Sequence, residues 1–341
     1  MNSDTATHES VMSASVTSQS VTSRSGTPAI EIEKVSHRLG GKQVIDDLSL
    51  SIPSGALYGL IGPNGSGKTT TMRLILRIYN PDSGSVRVFG QQGGRSDQLR
   101  IGYLPEERGL YPRMSVEKIL HFFGKIRGVP DPKAEMKRWL ERLGVEGWAG
   151  KKVEQLSKGM GQKVQFIAAV MGQPRLVILD EPFSGLDPVN LDLLRDNVKQ
   201  LRDEGTTVIL STHDMEVAQG MCDSVMMIYG GRKVLDGTLS EIREGYGGPR
   251  VRVRFEDGQA PPNDLPGIGH VVTTPTHHDL ILDDLSKRSE VLQRLAQAGP
   301  LAHFETVRPS LHDIFVDIAG DRATSNPTPA SDFRASNGAE A

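Results

Sequence analysis

The stretch from Gly62 to Thr70 reads Gly-Pro-Asn-Gly-Ser-Gly-Lys-Thr-Thr and fits the spacing G-x-x-x-x-G-K-[ST] of a phosphate-binding loop. That loop works only between a buried strand and a helix. Leu57-Tyr58-Gly59-Leu60-Ile61 supplies a short apolar strand before it, and Met72, Leu74, Ile75, Leu76 and Ile78 mark a helix after it. Gly62, Gly65 and Gly67 permit turns that a Cβ would resist, so backbone N–H groups can converge on an anion. The helix behind the loop adds its positive end. Lys68 is expected to reach the β- and γ-phosphates of a nucleotide, and the Thr69 hydroxyl to hold Mg²⁺. The candidate binding run is Gly62, Pro63, Asn64, Gly65, Ser66, Gly67, Lys68, Thr69 and Thr70.

The surrounding pattern is that of an α/β fold. Ile30 to Val35 alternates apolar and charged residues like a half-buried edge strand, and Leu48, Leu50 and Ile52 repeat the alternation. Val86, Val88 and Phe89 form a further short strand, Gln91 to Ser96 a polar loop, and Ile101 to Pro105 another strand. A helical insert then spans about 113–172, with Met136, Trp139, Leu140 and Leu143 spaced three and four apart. Leu176-Val177-Ile178-Leu179 is a continuous apolar run, as in a parallel strand covered on both faces. A helix through Leu191, Leu194, Val198 and Leu201 and a strand at Thr207 to Leu210 continue the alternation of strand and helix, giving a mostly parallel, doubly wound sheet.

Gly247-Gly248-Pro249 is a candidate hinge. Beyond it, Val251, Val253 and Phe255 alternate with Arg252 and Arg254, as in an antiparallel strand with one wet face. Asp279 to Leu282 and Ala302 to Val307 are further strands, Val291, Leu292 and Leu295 lie on one helix face, and Leu311, Ile314 and Phe315 suggest a last helix. The expected organisation is a Ser/Thr-rich disordered tail (1–28), an α/β nucleotide-binding domain (29–246), a small α+β accessory domain (250–320) and a second polar tail (321–341).

Bulk properties narrow the function classes. The 341 residues carry a formal net charge of −3, which gives no basic field for nucleic acid. Cys222 is the only cysteine, so no intrachain disulfide forms. No apolar run approaches the roughly 20 residues needed to span a bilayer. The reading is a cytoplasmic chain with no transmembrane segment of its own. If it acts at a membrane, another chain brings it there.

Two further motifs carry chemistry. Asp180-Glu181 ends the apolar strand Leu176 to Leu179, at the strand end where open α/β sheets bind ligand. Adjacent carboxylates there point apart. Asp180 is assigned to the Mg²⁺ shell and Glu181 to the general base. Leu156-Ser157-Lys158-Gly159-Met160-Gly161-Gln162 opens a helix. Ser157 is a fair N-cap, and a hydroxyl, glycine amides and a helix end together also suit a second phosphate site.

These motifs, with Leu179-Asp-Glu-Pro-Phe-Ser-Gly-Leu-Asp-Pro188 and then His213, stand in the order of an ATP-binding cassette, and the chain resembles that family over about Ile30 to Gly237. The resemblance implies a P-loop NTPase cassette with a mostly parallel core, an antiparallel edge sheet and a helical subdomain. It implies ATP hydrolysis with Mg²⁺, and a head-to-tail homodimer (or paired cassette) sandwiching two ATP molecules. Ser157 and Gly159 of one copy would face the γ-phosphate held by Gly65, Lys68 and Thr69 of the other, with Asp187 in the loop between the copies. His213 sits at the family's switch histidine. Glu106 stands where the family usually has a glutamine that touches Mg²⁺ or water. Leu39 stands where an aromatic usually stacks on adenine, with His37 as an alternative stacker. Ile101 to Pro112 and Pro309 to Phe315 resemble the ATPase subunits of type-2 ABC exporters, the latter their accessory C-terminal domain. That implies a separate membrane-spanning permease docked near Glu106 to Met114, with Tyr111 and Met114 as candidate contacts, and a peripheral location on the inner face of the cell membrane. The alternatives are a soluble ABC ATPase not coupled to transport, and a nucleotide-dependent binding module without turnover.

Overall fold

The computed structural model describes residues 27–92, 100–107, 109–246 and 250–316. Nearly all of the expected N-terminal tail, the C-terminal tail, the Gly247-Pro249 hinge and most of the Gln91 to Ser96 loop lie outside the described residues.

The alternating N-terminal segment is strand β1 (Ile30–Leu39), paired antiparallel with β2 (Lys42–Ile52) and β4 (Ser83–Val88) in the order β2-β1-β4. The main sheet is formed by β5 (Ile101–Leu104), β6 (Leu176–Leu179), β7 (Thr207–Thr212), β3 (Leu57–Ile61), β8 (Ser224–Tyr229) and β9 (Arg232–Thr238), in that spatial order. Its first five strands run parallel, and β9 closes the edge antiparallel to β8. β6 is buried at every position, as its unbroken apolar run requires.

The two faces of this sheet belong to two cores. Tyr58, Leu60, Ile178 and Ile209 share one with the three-stranded sheet and with Met72, Leu74 and Ile75 of α1 (Lys68–Ile75). Leu57, Ile61, Leu179 and Leu210 share the other with α4 (Lys158–Val170), α5 (Pro188–Asp203) and α6 (Met215–Met221). The insert holds α2 (Val116–Ile126), α3 (Pro132–Arg142) and α4, started by the side-chain caps Ser115, Asp131 and Ser157. Each cap satisfies an N–H that the first helical turn leaves without a partner.

After α7 (Leu239–Tyr246), β10 (Arg250–Phe255), β11 (Ile268–Thr273), β12 (His278–Leu282) and β13 (Leu301–Val307) form an antiparallel sheet in the order β11-β12-β10-β13. Val251, Val253 and Phe255 pack against Val291 and Leu295 of α8 (Arg288–Ala298). β11 has no counterpart among the strands expected from the sequence. It is an edge strand with mostly exposed side chains, so burial imposes no clean alternation on it.

The last helix, expected with this α+β unit, reaches back onto the nucleotide-binding part. Leu311 and Ile314 of α9 (residues 311–316) are buried in the core of the nucleotide-binding part. The Leu311 N–H donates to Gln219 Oε1 at 2.7 Å, and the Phe315 ring meets Tyr229 edge-on at 5.9 Å. The helix is short and apolar on one side, and α6 and β8 offer the matching surface.

Cys222 lies under the main sheet, where a Cβ on Gly59 would come within 2.9 Å of its Sγ. Burial, with a smaller contribution from Asp223, pushes the thiol up to about 12. Native protein at pH 8 is therefore expected to react with iodoacetamide at least about a thousandfold more slowly than urea-unfolded protein, because only the thiolate attacks. Adduct formation followed by intact mass checks this; equal rates would contradict the buried placement.

Candidate functional site

Four neighbouring parallel strands, β5, β6, β7 and β3, bring their carboxyl ends to one edge of the sheet. Beyond those ends lie Glu106, Asp180 with Glu181, His213, and the loop from Gly62 to Gly67. Sheet order thus gathers residues that the sequence spreads over some 150 positions.

The loop needs its glycines for separate reasons. Gly62 has φ +148°, and a Cβ there would meet Ile228 O at 2.3 Å. Gly67 has φ +115°, and a Cβ would meet Ile45 Cδ1 at 2.7 Å. The Lys68 ammonium folds back and donates to Gly62 O at 2.7 Å and Pro63 O at 3.2 Å. It lies 3.7 Å from Glu181 Oε1. Burial pulls its pKa below the usual lysine value, against the opposing pull of Glu181, Asp180 and Glu106. A lysine held by carbonyls and a carboxylate is poised to exchange those partners for phosphate oxygens.

A cleft of about 360 Å³ opens over this loop. Asn64, Gly65, Gly67, Lys68, Thr69 and Thr70 line one side, Glu106 and Glu181 the other, and Val44 supplies an apolar wall. Its volume lies in the range of small-molecule sites.

Asp180 is almost fully buried. Its Oδ1 accepts from Ser211 Oγ at 2.6 Å and from Thr69 Oγ1 at 3.3 Å, while Oδ2 has no hydrogen-bond partner among the described residues. A buried carboxylate oxygen without a partner is costly, and a cation beside Thr69 would relieve it. Among the described residues no group of three His, Cys, Asp or Glu side chains could hold a metal. Mg²⁺ is held by one or two protein oxygens together with substrate phosphates and water, and the Thr69 hydroxyl with Asp180 Oδ2 offers such a pair. The residues present fit the ion.

Glu181 sits at φ +48°, the left-handed region, at a strain of about 1–3 kcal/mol for a residue with a side chain. Its N–H donates to Ser211 Oγ at 2.9 Å. Its carboxylate stands between Lys68 and His213, with His213 Nδ1 3.1 Å from both oxygens. A carboxylate only accepts, so the contact requires the proton on Nδ1. His213 itself is largely open to solvent, with its side chain 58% exposed.

Ser157 and Gly159 are not brought to this cleft. The Ser157 hydroxyl caps its own helix through Met160 N–H at 3.2 Å and is exposed. α4 is nevertheless tied to the residues after Glu181, because Gln162 Nε2 donates to Pro182 O at 3.0 Å. Asp187 is exposed and caps α5. Asn190 holds its carboxyl below the usual range. Of the proposed adenine-side residues, His37 is buried and stacked on Tyr79 (5.4 Å, 22°), and Leu39 is 46% exposed. Neither lines the cleft over the phosphate loop.

Two site residues carry no signal of their own in the sequence. Val44 belongs to a strand and to no motif. Ser211 lies inside an apolar strand, and only the pairing of β6 with β7 puts its hydroxyl beside Asp180 and Glu181.

A family profile described as "ABC transporter" matches residues 45–184, and one described as "ATP-binding protein DrrA1-3-like, C-terminal domain" matches 237–319. The ABC transporter ATP-binding protein YhaQ of Bacillus subtilis (strain 168) is 38% identical over 293 residues, 85% of this chain and 98% of that protein. The daunorubicin resistance ATP-binding protein DrrA3 of Streptomyces coeruleorubidus is 32% identical over 86% of this chain and 96% of its own length. The Nod factor export ATP-binding protein I of Paraburkholderia xenovorans (strain LB400) is also 32% identical, over 86% and 97%. A solved ATP-binding subunit of an ABC transporter superposes with a TM-score of 0.60 at 30% identity, covering 64% of this chain and 93% of that one. With this similarity along most of its length, a phosphate loop facing Asp180, Glu181 and His213, and an α/β sheet of matching architecture, the chain belongs to the ABC transporter ATP-binding proteins, the ATPase subunits that work with membrane permeases.

Proposed function

We propose that two copies of the chain close head to tail on two molecules of ATP, and that this closure drives export through a separate membrane-spanning permease. The carrying observation is that Ser157 and Gly159 stand outside the cleft of their own chain. A single copy leaves the outer side of the bound phosphates open, and the exposed Ser157 helix end of a second copy is the missing wall. Lys68 and the loop amides hold the β- and γ-phosphates, and Gly62, Pro63, Asn64, Ser66 and Thr70 shape and flank that cradle. Thr69 and Asp180, with Glu106 alongside, would hold Mg²⁺, which would offset phosphate charge and orient the terminal phosphoryl group. Glu181 takes the proton of the attacking water, and His213 fixes the carboxylate that does so. Water is excluded as the copies meet, so turnover is tied to a two-state motion.

Export, rather than another use of ATP, is supported by relatives named for drug resistance and Nod factor export. Among the described residues no helix is long and apolar enough to cross a membrane. In this reading the permease is a separate chain, and this one docks peripherally on the inner membrane face. The exposed Tyr111 and Phe122 rings, in edge contact at 6.4 Å, offer that partner an aromatic ledge. Met114, the other candidate contact, is partly buried against the main core. Purification of the chain from membranes tests this. A polytopic membrane protein is expected to co-purify with it and to change its ATP turnover. Recovery without any membrane partner, at unaltered turnover, would favour an ATPase not coupled to transport.

A further inference from the structure

We propose that Ser211 is a positioning residue for ATP hydrolysis, one hydroxyl that sets both the metal-side carboxylate of Asp180 and the backbone of Glu181. The inference rests on the reading of Asp180 and Glu181 given above.

Ser211 is fully buried in β7, beside the end of β6. Its backbone serves the sheet, in register with Leu60 of β3. Its side chain does not belong to either core. A hydroxyl has one proton to give. Ser211 gives it to Asp180 Oδ1 at 2.6 Å and accepts the Glu181 N–H at 2.9 Å. Thr69 also reaches Oδ1, at 3.3 Å. Both protein donors therefore converge on one oxygen of Asp180, and Oδ2 is left without a partner among the described residues. The serine selects which oxygen is spoken for and which remains for a cation.

The second bond acts on Glu181. That residue is held at φ +48°, where a side-chain-bearing residue needs an anchor. The N–H···Oγ bond supplies it, and the left-handed turn sends the carboxylate between Lys68 and His213. Without the hydroxyl, the buried N–H loses its acceptor and the strained turn is free to relax. Asp180 loses its short charge-assisted bond at the same time. One atom thus keeps two adjacent carboxylates pointing to different tasks.

Two substitutions of equal size separate this role from packing: Ser211→Thr keeps the hydroxyl and Ser211→Val replaces it with a methyl. ATP affinity is measured in EDTA and in Mg²⁺, together with turnover at saturating ATP. Ser211→Val is expected to bind ATP in EDTA within about threefold of the parent, to lose about tenfold of the affinity gained from Mg²⁺, and to turn over about 10–100-fold more slowly, the range for residues that orient a metal ligand. Ser211→Thr is expected to stay within about threefold of the parent in all three readouts. If Thr and Val behave alike, both active or both impaired, the hydroxyl has no such role and the proposal fails. Where valine overpacks the strand and lowers the melting temperature, Ser211→Ala takes its place; a parental Mg²⁺ gain and turnover in that variant also overturns the proposal. Glu181→Gln measured alongside keeps the two ideas apart. If it blocks turnover while the Ser211 variants are indifferent, only the positioning role is lost. If it leaves turnover intact, the assignment of Glu181 itself is wrong.

Discussion

Glu181→Gln is expected to keep ATP bound and to lower turnover by about two to four orders of magnitude, the share a positioned general base contributes. The amide has the shape of the carboxylate, and its backbone N–H still reaches Ser211, so the left-handed turn has the same anchor. What it cannot do is take a proton from water. It also removes a negative charge beside Lys68, which favours an anionic ligand in the cleft. Phosphate release and nucleotide binding, measured on the same preparation, separate the two effects. Parental turnover would mean that the base lies elsewhere.

Lys68→Ala is expected to weaken ATP binding by about 10–100-fold, as loss of a charge-assisted hydrogen bond of roughly 1.5–3 kcal/mol requires. The lysine is buried, and its polar partners are two loop carbonyls and the carboxylate of Glu181. Burial already lowers its pKa, so a phosphate that replaces these partners gains a cation that water solvates poorly. Alanine leaves Glu181 facing the triphosphate with no cation between them. Titration with ATP, with and without Mg²⁺, checks the prediction. Unchanged affinity would remove the anchor of the phosphate-loop reading.

Much of the site is legible in the amino-acid sequence. The phosphate loop, the apolar run into Asp180-Glu181 and the strand leading to His213 each carry a local signal, because each needs particular residue types at fixed spacing. Sheet order does the rest, placing β5, β6, β7 and β3 side by side so that their ends share one cleft. What stays hidden depends on neighbours far away in the chain. Ser211 is an ordinary serine in an apolar strand until β6 is paired with β7. Val44 becomes a cleft wall only because the β2 strand passes over the loop, where Gly67 approaches Val44 O and Ile45. The stack of His37 on Tyr79, some forty residues away in the chain, is equally invisible in the local pattern. The α9 segment illustrates the same limit. Its apolar face is legible from Leu311, Ile314 and Phe315, but not that Gln219 and Tyr229 of the nucleotide-binding part receive it. That contact ties the end of the accessory region to α6, the helix that directly follows His213 and Asp214.

The account stands on two copies of the chain completing each other's ATP sites. The most direct measurement is the solution mass of the Glu181→Gln protein by light scattering, with and without Mg-ATP, alone and with its membrane partner. The account predicts one chain mass without nucleotide, twice that mass with Mg-ATP, and no doubling when Lys68→Ala is added. A Glu181→Gln protein that binds Mg-ATP yet keeps a single copy, both by itself and beside its permease, would contradict it.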